Sequence, residues 1–441
     1  MFNKINTGSI FFLTLILAAF SLTYVGGFIF NYSGYGDSTW IFNRSNTPPL
    51  LLLFVIGQYI ITCSLLSKTR SHILANVICS SILFVAYIGL RIQPLGDHLH
   101  WARQAGTNIL WMSELLSNLI YNLVYNRGIS IQYIAPIFGW ATCLVYLHIG
   151  KEIISETNSS YFTFLYRLSF LSTGTSILFY FNYIENTILS IPFSLLYLYF
   201  SIKFLKDNSK RLNLVAASLA LSIACLFHGQ NTFFIPSLYI FIIIEGLRNS
   251  DYKNILRNMA LSTIVIIATI LTAITITTMA GYQVLPGNIN GGGDSAHFVP
   301  FFGADATRYT RFLMFSIGHL AEISNIVVHS SPAVLIFSIM FTYRVAARKH
   351  DYFTSIRDEP VLVVTGVLTL CYLLFVILWN FDLGFPVDLD LMISLGFPLS
   401  IFIFSMLQKF HGYNKAYLTA GVLLGIYFNT LFVSSFLNSR L

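Results

Sequence analysis

One stretch gathers an acid, two imidazoles and a guanidinium within seven residues: Asp97, His98, His100 and Arg103. A carboxylate just past Pro94-Leu95-Gly96 can accept a proton from a bound hydroxyl, the work of a general base. It can equally cap a following helix, and the two roles are compatible. His98 and His100 form an H-x-H pair, but a metal centre needs further ligands that the local sequence does not supply. Hydrogen bonding to phosphate or sugar is the stronger reading. Glu114 either pairs with Arg103 or joins the same site.

Four further segments place polar groups between apolar runs. Asn182-Tyr183-Ile184-Glu185-Asn186 and Phe227-His228-Gly229-Gln230-Asn231 carry amides, a carboxylate and an imidazole. Such groups cap helix ends, and they also read sugar hydroxyls as donors and acceptors. In Gly318-His319-Leu320-Ala321-Glu322, His319 and Glu322 share one helical face, as a local ion pair or as binding groups. The segment from Asn380 to Asp390 holds Asp382, Asp388 and Asp390. Three carboxylates suit a divalent cation, but a structural or sugar-binding role is favoured, so no metal site is assigned. Residues 286–297, PGNINGGGDSAH, lead to Arg308 and Arg311. Their triple glycine predicts a mobile loop, and without a following Gly-Lys-Ser/Thr it is no phosphate-binding P-loop.

The elements that carry these segments must be helices in lipid. Of 441 residues, 56% are hydrophobic and 10% charged, and the mean hydropathy is +0.71. A soluble domain carries about 25% charged residues, so this chain could not cover its surface in water. The net charge of +7 suits cytoplasmic loops of a membrane protein rather than nucleic-acid binding. The five cysteines sit in apolar runs and read as free thiols. The apolar stretch from Ile10 to Phe30 reads as a retained first span rather than a signal peptide.

A span needs about 20 apolar residues. Thirteen runs qualify: 9–30, 49–67, 72–92, 128–149, 161–181, 186–205, 212–228, 231–247, 258–280, 323–343, 361–379, 391–408 and 416–436. With the N-terminus inside, seventeen of the 25 Lys and Arg fall on the inner side and seven on the outer side, as the positive-inside rule requires. Arg167 alone lies within a span, where its long stem is expected to snorkel. Ten of the 18 acids fall outside, so function is expected to face outward. The long outer segments are 93–127, which contains an amphipathic stretch expected to lie as an interfacial helix, and 281–322.

Taken in order and sidedness, these segments resemble the GT-C superfamily of multi-spanning glycosyltransferases. The resemblance covers most of residues 72–392. It rests on Leu95-Gly96-Asp97 after a span, the interfacial helix behind it and the Tyr183-Ile184-Glu185-Asn186 turn. It rests also on His228 before a span, the loop 281–322 and the Asn380–Asp390 segment. Family members usually carry the base after their first span, where this chain has Gly34-Tyr35-Gly36-Asp37. Taking the third span as the family's first places Asp97 in that loop and the mobile loop after the family's seventh span, so Asp97 is preferred and Asp37 ranks second.

The resemblance implies an all-α membrane protein: two N-terminal spans over 1–71, a catalytic core over 72–322 and C-terminal spans over 323–441. It implies inverting transfer of a sugar from a polyprenyl-phosphate donor to an acceptor hydroxyl at the outer face of the cytoplasmic membrane. The acceptor is a glycan, a lipid-linked glycan or an exported protein. Asp97 is the expected base, and Arg308, Arg311, Arg103 or His319 stabilise the leaving phosphate. Glu114, Glu185, His228, Glu322, Asp382, Asp388, His98 and His100 complete the expected site. No cofactor is expected, with a divalent metal as the lesser alternative, and no acceptor-binding module is expected after the last span. The competing readings are a polymerase using diphosphate-linked glycans and a lipid-linked glycan flippase. A flippase binds near the midplane through broken helices, and no matching pair of Gly/Pro-broken spans is present.

Overall fold

The structure is a computed structural model that describes residues 49–67, 71–90, 95–96, 107–129, 134–154, 159–174, 183–184, 186–207, 211–285, 299, 313–335, 337–338, 356–379, 394–411 and 415–438. The expected first span at 9–30 and the residues 286–298 lie outside them.

Helices dominate. The chain runs α1 (Pro49–Leu66), α2 (His72–Leu90), β1 (Leu95–Gly96), β2 (Ile109–Trp111), α3 (Leu115–Tyr125), α4 (Ile134–Ile154) and α5 (Ser160–Ser169). There follow β3 (Tyr183–Ile184), α6 (Asn186–Lys206), α7 (Arg211–Phe227), α8 (Ile235–Arg248), α9 (Tyr252–Met279) and β4 (Gln283–Leu285). The last helices are α10 (Ile317–Ser330), α11 (Pro360–Leu378), α12 (Gly396–His411) and α13 (Lys415–Asn438). Among the described residues, five helical segments are long and apolar enough to cross a membrane: Ile134–Ile154, Asn186–Lys206, Gly229–Arg248, Tyr252–Met279 and Pro360–Leu378.

Among the described residues the helices sit where the apolar runs predict, and two of the runs are interrupted. Within the run 161–181, α5 tightens after Ser169 into a 3-10 turn, Phe170–Ser172. Ser169, Ser172 and Thr173 cause this: each hydroxyl donates to the carbonyl three residues back. Asn429 of α13 then donates to the Leu171 and Thr173 carbonyls at 2.7 and 2.9 Å. In the run 323–343, α10 starts early at Ile317 and stops at Ser330, because Pro332 disfavours helix at the residue before it.

Small residues let the core helices close. Ala217, Ala220 and Ala224 are buried along α7, which packs extensively on α6. At Gly425, a Cβ would lie 2.3 Å from the Ser172 side chain, so only glycine admits this crossing of α13. Tyr146 and Tyr166 stack at 5.0 Å between α4 and α5, with the Tyr146 hydroxyl 2.6 Å from Ser169 Oγ. Arg167 does not snorkel. It is buried, and its guanidinium donates to the Leu66 carbonyl at 2.9 Å and to Asn76 Oδ1 at 3.3 Å.

The two ends of the bundle differ in what joins their helices. At one end Lys203 and Lys206 meet Glu152 at 3.9 and 3.2 Å, Lys409 meets Glu359 at 3.2 Å, and Arg248 donates to the Arg357 carbonyl. At the other, short parallel ladders tie loops distant in sequence. β1 pairs with β3, Leu95 opposite Tyr183 and Gly96 opposite Ile184. β2 pairs with β4, Ile109 to Trp111 opposite Gln283 to Leu285. The Val299 amide donates to the Leu378 carbonyl at 2.8 Å, fastening the 281–322 loop to α11.

Candidate functional site at the loop-bearing end

The site grows from the join between α3 and α7. The Ser117 hydroxyl donates to the Phe227 carbonyl at 2.8 Å, an acceptor orphaned at the helix end. Phe227 itself packs between Phe193 and Phe138, at 5.0 and 5.6 Å between ring centroids. Beyond it Gly229 runs beside Ser113, where an added Cβ would sit 3.3 Å from the Ser113 Cβ. These contacts bring Glu114 Oε1 to 4.0 Å from His228 Nε2, with 25% and 15% of their side chains exposed.

His228 is oriented from behind. It caps the 3-10 turn Gly229–Phe234, its Nδ1 accepting from the Gln230 amide at 3.3 Å. An accepting Nδ1 in a neutral ring puts the hydrogen on Nε2, which faces Glu114. Burial lowers the His228 pKa from 6.5 to about 4, so the ring is neutral near pH 7. At 4.0 Å the pair is too far apart for a direct hydrogen bond, and a hydroxyl placed between them contacts a donor and an acceptor together.

The amphipathic stretch is helical as expected, but it lies the other way up. Ser117, Asn118 and Asn122 belong to the buried face of α3, whereas Leu123 and Tyr125 are exposed. Apolar residues facing outward suit lipid contact. Beneath α3 an apolar groove of about 450 Å³ lies between α7 and α9, lined by Leu116, Leu119, Leu226, Thr269, Ala273 and Thr277 among others. The Thr269 and Thr277 hydroxyls donate to carbonyls of their own helix, Val265 at 2.7 Å and Ala273 at 2.9 Å, and so add no free polarity to it.

Of the residues singled out in the sequence, Glu114 and His228 are thus brought together. His319 and Glu322 are both buried residues of α10. His319 Nε2 lies 2.8 Å from the Ile377 carbonyl near the end of α11, so that nitrogen carries the hydrogen. Asp97, His98, His100, Arg103, Glu185, Arg308, Arg311, Asp382 and Asp388 lie outside the described residues, as does Asp37. Gly96 and Ile184, which precede Asp97 and Glu185 in the sequence, are partners in the β1–β3 ladder. Among the described residues no three His, Cys, Asp or Glu gather as metal ligands.

Ser117 and Asn118 were not legible as site residues. Their only signal was the i, i+4 spacing of Asn118 and Asn122, which marks one polar stripe without saying which way it faces. In comparisons with protein-family models and with curated proteins, the chain finds no match.

Proposed function

We propose that the chain is a membrane-embedded glycosyltransferase of the GT-C type, with thirteen spans and its site on the outer face of the cytoplasmic membrane. One observation carries the reading: the apolar groove under α3 is lined by Leu116 and Leu226, each two residues along the chain from a member of the Glu114–His228 pair. A substrate with a lipid tail and a polar, hydroxyl-bearing head fits that sequence of surfaces, and a polyprenyl-phosphate sugar is such a molecule.

In the proposed reaction, an acceptor hydroxyl of a glycan, lipid-linked glycan or exported protein forms a bond to the anomeric carbon. The bond from that carbon to the phosphate oxygen breaks, and its electron pair stays on the polyprenyl phosphate. Asp97 takes the hydroxyl proton. What supports this role is the sequence: Asp97 directly follows β1, whose Gly96 pairs with Ile184 of β3. Arg308 and Arg311 are proposed to hold the leaving phosphate, whose charge grows as the bond breaks. No step uses a cofactor.

The experiment is transfer by purified protein in lipid, given either a polyprenyl-phosphate sugar or the matching nucleotide sugar. Transfer from the lipid donor is expected. Transfer from the nucleotide sugar alone overturns the reading.

A further inference from the structure

Several side chains near the Glu114–His228 pair are buried without a hydrogen-bond partner. Asn118 lacks one at both amide atoms, Asn186 at both, Thr187 at its hydroxyl and Gln230 at its carbonyl oxygen. Asn118 is 3% exposed, Asn186 1% and Thr187 0%. A buried polar group that has given up water and gained nothing is rare, because it carries its full desolvation penalty.

These groups converge on one place. Asn118 follows Ser117, whose hydroxyl is bonded to the Phe227 carbonyl. One turn along α3, Tyr121 packs in a cluster with Leu189 and Phe227. Asn186 and Thr187 open α6 within a turn of that same Leu189. Gln230 follows Phe227 by three residues, its amide nitrogen spent on Ser394 Oγ at 3.3 Å and its oxygen left over. Three elements therefore carry spare donors and acceptors close to the Tyr121–Leu189–Phe227 cluster.

We infer that Asn118, Asn186, Thr187 and Gln230 form a recognition ring for an uncharged, hydroxyl-rich group, the sugar of the lipid-borne donor; this rests on the transferase reading. A primary amide offers donors and an acceptor side by side, which matches a hydroxyl that both gives and takes a hydrogen bond. All four side chains are neutral, so a sugar bearing a carboxylate or an ammonium would meet no counter-charge from them. The four side chains are buried in this structure.

Two probes test this: a short-chain polyprenyl phosphate bearing a neutral hexose, and the same polyprenyl phosphate without sugar. Binding affinity and melting temperature are read for wild type, Asn118→Leu and the nearly isosteric Thr187→Val, which keeps the test open if the first fails to fold. Wild type is expected to bind the sugar-bearing lipid about tenfold more tightly, a modest hydrogen-bond contribution. The variants should lose most of that difference, keep their affinity for the bare lipid, and melt no lower without ligand, since an unpaired polar group has been removed. An undiminished preference in the folded variants means ordered water only and overturns the ring. A ligand-free melting temperature lowered by several degrees in Thr187→Val also overturns it, because the group then has a partner within the fold. If wild type responds to neither lipid, the transferase reading fails and the ring with it. A wild type that responds while the variants match it sinks the ring alone.

Discussion

The Ser117 hydroxyl and the Phe227 carbonyl, 2.8 Å apart, join the helix on which Glu114 rides to the helix end from which His228 extends. Neither group does chemistry in the proposed reaction. Their bond sets the distance between Glu114 and His228, the pair proposed to meet the substrate, and it does so from a buried position where water cannot replace it.

Ser117→Ala should therefore lower stability by about 1 kcal/mol, the usual worth of one internal hydrogen bond, with the orphaned carbonyl adding to the loss. Transfer should fall further than stability alone explains, because Glu114 is no longer held against His228. Thermal unfolding and donor turnover, measured on the same preparation, check both parts. A fully active variant would show that α3 is held by packing alone.

His228 gives a pH signature with a definite sign. Its unfolded pKa is near 6.5 and its folded value about 4, so between those values the unfolded chain binds more protons. The stability it contributes is whole above pH 6.5 and drains away as pH falls toward 4. His228→Asn keeps an oxygen that can cap the Gln230 amide but removes the titration. The variant's melting temperature should fall less steeply than that of wild type between pH 6.5 and 4. Parallel curves would place the titrating group elsewhere.

Asp97→Asn should leave folding and donor binding nearly intact while reducing turnover by about two orders of magnitude or more. Asparagine caps a helix about as well as aspartate, so this substitution separates base from cap. Asp37→Asn should cost much less. A stable, nearly active Asp97→Asn protein moves the base to Asp37 or Glu185.

Sidedness can be read directly. Reporter fusions at Lys210 and Asn290 should report opposite faces of the membrane, because α7, α8 and α9 lie between them, an odd number of crossings. Agreement between the two reporters removes the ground for placing the β4 loop and the Glu114–His228 pair on one outer face.

Helix positions were legible because composition and run length settle them: α6, α7, α9 and α11 begin and end within a few residues of their apolar runs. What joins helices was not. Arg167 read as a snorkelling cation because sequence cannot show that the Leu66 carbonyl and Asn76, on two other helices, would solvate it. The ladders β1–β3 and β2–β4 are two and three residues long, too short for any alternating pattern to announce them. The meeting of Glu114 with His228 depends on contacts between residues far apart in sequence, such as Ser117 with Phe227 and Ser113 with Gly229, so their residue types were visible and their meeting was not.

The 28-residue helix α9 has only 6% of its apolar window buried, and it leads almost directly into β4. At 1.5 Å per residue it is about 42 Å long, against about 30 Å of hydrocarbon in a typical bilayer. Such a helix tilts, or runs beyond the slab at its ends, by an amount that the lipid decides. Its C-terminal end is latched through β4 to β2, whose last residue, Trp111, stands three positions before Glu114. Bilayer thickness thereby becomes a mechanical input to the carboxylate, and the same protein should hold its site differently in thin and thick membranes.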